Sequence, residues 1–449
     1  MRFTAACALA CALTAAAPAH AFCGFFVGKA DSALFNKSSQ VAIVRDGDRT
    51  VITMGNDFRG DATDFALVVP VPAVLTREQI HVGERVLLER LDAYSAPRLV
   101  EYHDPDPCFR DYPRAVASAP LGAMRKEMAM NAAEVGRALG VKVEASYTVG
   151  EYDIVLLSAK ESGGLETWLR QSGYRIPARA AAALAPYVRQ NMKFFVARVN
   201  LEEHGAGGYQ QLRPIQIAFE SPKFMLPIRL GMANADGPQD LVIYAMTRKG
   251  RVESSNYQTV KMPGDAEVPE FVQQQFGEFY KAAFDKSWRD HGGRALTTEY
   301  VWNMSSCDPC ASQPLTQDEL RQLGVFWLDE QPQLPASYGR RPMMTPMQPV
   351  TLTRLHVRYD SDRFPEDLLF QETGDQQPFQ ARYIVRHPFH GSISCSAGSA
   401  YQEQLAERRR AEMQTLASLT GWEMDRIRSG MGSDAPAPRH DDWWKRLWK

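Results

Sequence analysis

VAIVRDGDRTVITM, residues 41–54, is the stretch on which the fold turns. Val41, Ile43, Thr50, Ile52 and Met54 are strand formers on either side of Asp46-Gly47-Asp48-Arg49, so the stretch predicts a β-hairpin closed by a four-residue loop. Downstream, residues 64–72 read DFALVVPVP. Pro70 and Pro72 have no backbone N–H to give a ladder, so this run must end at a sheet edge or as an extended segment.

The same two periods, alternation and helical spacing, recur along the chain. Val86, Leu87, Leu91 and Tyr94 predict a helix from Gly83 to Tyr94. Ile154 to Leu157 reads as a buried strand. A short helix around Leu165, Trp168 and Leu169 follows, then an Ala-rich one from Ala178 to Val188. Strand signals then dominate, over 193–200, 214–220, 224–230, 241–247 and 252–260, before a helix from Phe271 to Trp288. Residues 331–349 hold five prolines and read as a linker. They divide a main β-rich region, 22–330 (one or two lobes), from a last β unit, 350–400, with strands at 351–359, 368–371 and 379–385. Residues 401–449 read as a helix, 401–430, and a flexible tail. Strand clusters alternating with separated helices predict an α+β fold of β-rich lobes with peripheral helices.

Composition bounds the function. Of 449 residues, 45% are hydrophobic and 23% charged, a globular balance that excludes a disordered acidic chain and a collagen-like one. The formal net charge of -2 argues against a nucleic-acid binder, which needs a basic face to replace phosphate counterions. Residues 1–21 have the form of a signal peptide: Arg2, an apolar Ala-rich stretch, then Ala19-His20-Ala21 before the expected cleavage. No later run approaches the ~20 apolar residues of a membrane helix. The expectation is export to the periplasm or beyond, with no transmembrane helix in the mature chain.

In that compartment thiols oxidise. Cys23, Cys108, Cys307, Cys310 and Cys395 remain after cleavage; five is odd, so one is left over, and the sequence does not choose the pairing. Asp106-Pro107-Cys108 and Asp308-Pro309-Cys310 repeat one tripeptide, and Asp-Pro is turn chemistry that suits a bridge position. A second reading is redox exchange, since Cys307-Asp308-Pro309-Cys310 has the Cys-x-Pro-Cys form. Asp308 opposes it, because a carboxylate beside a thiolate raises the thiol's pKa. A third is a metal site pairing Cys307 and Cys310 with His387 and His390, which nothing in the sequence brings together. No catalytic elbow, zinc-protease helix or phosphate loop is present.

Cys23-Gly24-Phe25-Phe26, the hairpin, the DFALVVPVP run and LDAYSAPRLVEY (91–102) together resemble one bacterial family of exported proteins catalogued only as a domain of unknown function. FESPKFMLPIRL (219–230), DLVIYAMTRKGRVE (240–253), CDPC (307–310) and FQARYIVRHPF (379–389) extend the resemblance over roughly residues 22–400. It implies export and an unassigned role, and it brings no catalytic residues. At the other end, Trp443, Trp444, Leu447 and Trp448 would share one helical face beside Lys445, Arg446 and Lys449, a pattern suited to docking on a membrane surface or an envelope protein. The expected function is therefore non-catalytic binding, without metal or cofactor; the alternatives are a thiol–disulfide oxidoreductase and an unrecognised hydrolase.

Overall fold

The computed structural model describes residues 25–28, 35–59, 65–108, 141–174, 180–199, 212–234, 237–306, 308, 313–330 and 349–436. The hairpin is there, with a tighter turn than its sequence predicts. Phe35–Asp46 and Arg49–Arg59 pair antiparallel down to Asp46 opposite Arg49, leaving only Gly47 and Asp48 in the turn. Gly47 takes φ +58°, as a glycine-first two-residue hairpin turn requires. Arg45 extends the ladder to that point, its Nη1 donating to Thr50 Oγ1 across the strands at 2.6 Å.

The hairpin is the middle of a large sheet. From edge to edge it runs Gln258–Lys261, Ala295–Asn303, Thr351–Tyr359, Gln239–Thr247, Phe35–Asp46, Arg49–Arg59, Ile215–Glu220 and Ile80–Val82, with Phe379–Gln380 beside Ala295–Asn303. Two of its pairings are parallel, Phe35–Asp46 with Gln239–Thr247 and Gln258–Lys261 with Ala295–Asn303. A smaller antiparallel sheet follows the order Phe25–Gly28, Phe65–Val71, Lys193–Val199, Tyr152–Ala159 and Val141–Val149.

These sheets stack face to face. Val41, Ile43, Ile52 and Met54 of the large one meet Leu67, Val69, Val71 and Phe195 of the small one in a shared core. Alternate residues turn outward and are covered too: Ala42, Val44 and Val51 by helix Arg85–Ser95, and Ala66, Val68 and Val196 by helices Ser162–Gln171 and Ala180–Arg189. A strand buried on both faces gains from apolar residues at every position, which is why DFALVVPVP shows no alternation. The result is a helix–sheet–sheet–helix stack, an α+β architecture. Beside it lies a three-stranded parallel sheet, Ala266–Glu267, Arg382–His387 and Arg98–His103, covered by helices Phe276–Asp290, Ala397–Thr420 and Met424–Met431.

Several elements differ from their sequence-based bounds. Thr351–Tyr359, expected to open a last β unit after the linker, is an interior strand of the large sheet, flanked by Gln239–Thr247 and Ala295–Asn303. Nothing local marks it as such, because both partners, Gln239–Thr247 and Ala295–Asn303, lie far upstream in sequence. The strand expected over 224–230 shrinks to Met225–Leu226, with Pro227 ending the donors. The one expected over 252–260 splits into Val252–Ser254 and Gln258–Lys261 at a turn in which Ser254 Oγ accepts from Tyr257 N. The 401–430 helix is two, parted at Gly421 with φ +72°, the left-handed conformation that ends helices. The signal peptide, residues 331–348 of the linker and the tail from Trp443 to Trp448 lie outside the described residues.

Candidate binding cleft between the two sheets

A cleft of about 210 Å³ opens where the end of the DFALVVPVP strand leaves the sandwich. Its floor is the inner face of the large sheet. Ile52 and Met54 stand alternately along one strand and Ile217 and Phe219 along the next, with Ile217 directly opposite Ile52. Val69, Pro70 and Pro72 form one wall, joined by Met192; Pro222, Met225, Leu226 and Pro227 form the other. Pro70 sits where it can be tolerated. Phe25–Gly28 pairs only as far as Val68, so beyond that residue the Phe65–Val71 strand has a described partner on one side alone.

The second wall is held by Arg45. Its guanidinium donates to Ser221 O at 2.9 Å and lies over the Phe224 ring, 5.3 Å from the centroid. Ser221 N in turn donates to Asp48 O at 2.9 Å, tying the 221–227 segment to the hairpin turn. Among the described residues, the polar side chains on the cleft are Gln190, Ser221 and Lys223. Lys223 Nζ donates to Gln190 Oε1 at 2.8 Å, and Lys223 N to Ser221 Oγ at 3.2 Å. Among the described residues no Asp, Glu, His or Cys lines it. The site can therefore bind an apolar group.

The largest buried charge network lies elsewhere, around Glu299. Glu299 is fully buried, accepts from Arg354 Nε at 2.7 Å and from the Tyr280 hydroxyl, and lies 3.1 Å from His356 Nδ1. His356 Nε2 is 3.4 Å from Asp240, and the ring stacks on Phe284 at 3.7 Å. Arg354 continues to Asp92 at 2.7 Å, where Tyr244 also donates. Burial alone would raise the Glu299 carboxyl, but His356 and Arg354 outweigh it and hold that carboxyl down at about 2. Burial would likewise lower His356, and Glu299 and Asp240 raise it instead. Glu299, Arg354 and His356 satisfy one another in the core, and Asp92, at the outer end of the network, borders a polar cavity of about 230 Å³ with Gln40, Arg85 and Glu89.

Of the residues singled out from sequence, the structure brings two cysteines together. Cys108 and Cys395 are disulfide-bonded, with Cα atoms 5.7 Å apart. They follow the parallel neighbours Arg98–His103 and Arg382–His387, so the bridge clamps adjacent strand ends. Cys108 N donates to Asp106 Oδ1 at 2.8 Å, the turn that the Asp-Pro-Cys sequence predicts. Cys23, Cys307 and Cys310 lie outside the described residues, as do Trp443, Trp444, Leu447 and Trp448. Asp308, between the two cysteines, is buried and accepts from Tyr300 Oη at 2.9 Å and Gln380 Nε2 at 3.0 Å. Both ring nitrogens of His387 are engaged by carboxylates, Nδ1 by Glu270 at 2.9 Å and Nε2 by Glu101 at 2.8 Å. Those bonds to Glu101 and Glu270 raise its pKa. Among the described residues no three His, Cys, Asp or Glu are grouped to hold a metal. Near His387 a cavity of only about 80 Å³ touches Glu412.

Ile52, Met54, Met192, Ile217 and Phe219 were not legible as site residues, since only long-range pairing assembles them. The signal that was legible is prolines framing apolar residues, at 70–72 and again at 222–227. A family model of uncharacterized proteins conserved in bacteria matches residues 17–371, a span that contains both of these segments. No curated protein and no solved structure matches the chain.

Proposed function

The chain belongs to that family, DUF2330, and from this premise we propose that it is an exported, non-catalytic binding protein whose inter-sheet cleft takes an apolar group of its ligand. The observation that carries the reading is the division of labour in the molecule. The apolar cleft described above has no acid–base pair among its described lining residues, and Glu299, Arg354 and His356, the centre of the buried charge network, are paired with one another away from it. An enzyme would need the two together. Glu412, whose carboxyl burial pushes up to about 7, borders a space of about 80 Å³, too small for a substrate.

Export is supported by the form of residues 1–21 and by the Cys108–Cys395 bridge, because such bonds persist in oxidising compartments. No helix among the described residues is long and apolar enough to cross a membrane. The test has two arms. Fractionation of the native cell should place the protein outside the cytoplasm with Cys108 and Cys395 oxidised. An environment-sensitive apolar dye should bind the purified protein at one saturable site and lose that site in Met225→Trp, which fills the cleft from a half-buried position. Dye binding untouched by that substitution would remove the cleft from the reading.

A further inference from the structure

The apolar cleft described above has a mouth with one chemical sense, and that sense specifies a ligand class. Three polar side chains reach it and all retain donors. Lys223 carries a full positive charge, and its only described side-chain partner is the neutral Gln190 oxygen, 2.8 Å away. With that oxygen taken, Gln190 has its amide N–H groups to offer. Ser221 Oγ already accepts from Lys223 N, which leaves its O–H as a donor. Among the described residues no carboxylate stands on the lining to neutralise the lysine.

Inside, the reverse holds. Four of the lining residues are prolines, Pro70, Pro72, Pro222 and Pro227, so the walls lose four backbone donors, and the remaining side chains are aliphatic, thioether or aromatic. A ligand with polar groups along its body would leave them unpaired, at a penalty that excludes it. Met54, Met192 and Met225 are unbranched and adapt to a flexible chain better than to one rigid shape. The volume sets a length. At about 30 Å³ for each water-sized group, the roughly 210 Å³ cleft holds about seven chain atoms.

We propose that the cleft binds an unbranched aliphatic carboxylate of roughly this length, its tail between the sheets and its carboxylate on Lys223, Gln190 and Ser221. This rests on the cleft reading given above and adds the head-group chemistry. The probes are octanoate, octan-1-ol and octylammonium at neutral pH, titrated by calorimetry and followed by methyl NMR of Met54, Met192 and Met225. Octanoate should bind tightest and octylammonium weakest, with shifts confined to those three methyls. From butyrate to octanoate affinity should rise about fourfold per methylene, then level off at longer chains. Lys223→Gln should weaken octanoate about fivefold and leave octan-1-ol unchanged.

Met225→Trp should abolish binding of all three probes; the methyl shifts in the unmodified protein give the same location should that variant fail to fold. Equal affinity for octanoate and octan-1-ol, with the methyl shifts present, overturns the carboxylate and leaves the apolar cleft standing. Absence of any shift at the three methyls overturns the cleft itself.

Discussion

Glu299 is the residue on which the interior polar network depends. Replacing it with Gln keeps the shape and strips the one carboxylate that Arg354 and His356 share, leaving Arg354 only Asp92 and His356 only Asp240 as described acidic partners. The expected cost is about 3–5 kcal/mol of unfolding free energy, read from urea denaturation at neutral pH. Glu412 makes the opposite kind of statement. Its folded carboxyl sits at about 7 against an ordinary 4.5, so the folded state binds that proton more tightly than the unfolded one. The stability it contributes is complete below the ordinary value and is lost as pH rises through the folded one. Over that window the unfolding free energy should fall by up to about 1.4 kcal/mol per pH unit from this group. Glu412→Gln should flatten the fall, while the Glu299 contribution, with its depressed carboxyl, stays constant there and fails only in strong acid. An identical pH profile for wild type and Glu412→Gln would show that burial does not hold the proton.

At the scale of elements, one close approach and one covalent clamp can be tested. Helix Arg85–Ser95 lies so near the hairpin that a Cβ on Gly55 would stand 2.3 Å from Leu88 Cδ1, and Leu88 is itself packed in the core. Gly55→Ala should therefore destabilise by about 1–3 kcal/mol. Gly277→Ala, in the open first turn of helix Phe276–Asp290, should instead stabilise by about 0.5 kcal/mol. Thermal unfolding of the pair separates contact from helix propensity. Cys395→Ser removes the bridge across two parallel strand ends and should lower stability by about 2–5 kcal/mol. The hairpin, the extended character of 65–71 and most helices could be read from the chain because each rests on local signals: alternation, helical spacing, Gly and Pro; that 66–68 is paired on both sides could not. The cleft could not, because Ile52 and Ile217 become neighbours only through a ladder between strands that lie far apart in sequence. The break at Gly421 had its signal in plain view, a glycine inside an otherwise helical run.

For the whole molecule, the position of Thr351–Tyr359 decides what can be cut away. Ending the chain at Glu330 removes the strand between Gln239–Thr247 and Ala295–Asn303 and leaves two interior ladders open. Such a chain should show no cooperative thermal transition by circular dichroism. By contrast, a protease site placed within 331–348 and cut after folding should leave two fragments that co-elute in size-exclusion chromatography, held by the sheet. Separation of the fragments would mean that the linker, and not the ladder, joins them. The same strand has a consequence in time. Both of its neighbours precede it, so a polypeptide fed through a pore with its N-terminus leading has every other long strand of the large sheet delivered before the one that closes the middle. Loop closure over such distances is slow, and until it happens the earlier strands have no complete partner set to lock against. If the chain is exported as proposed above, the placement that makes the finished protein inseparable would keep the unfinished one threadable until the residues up to Tyr359 are delivered.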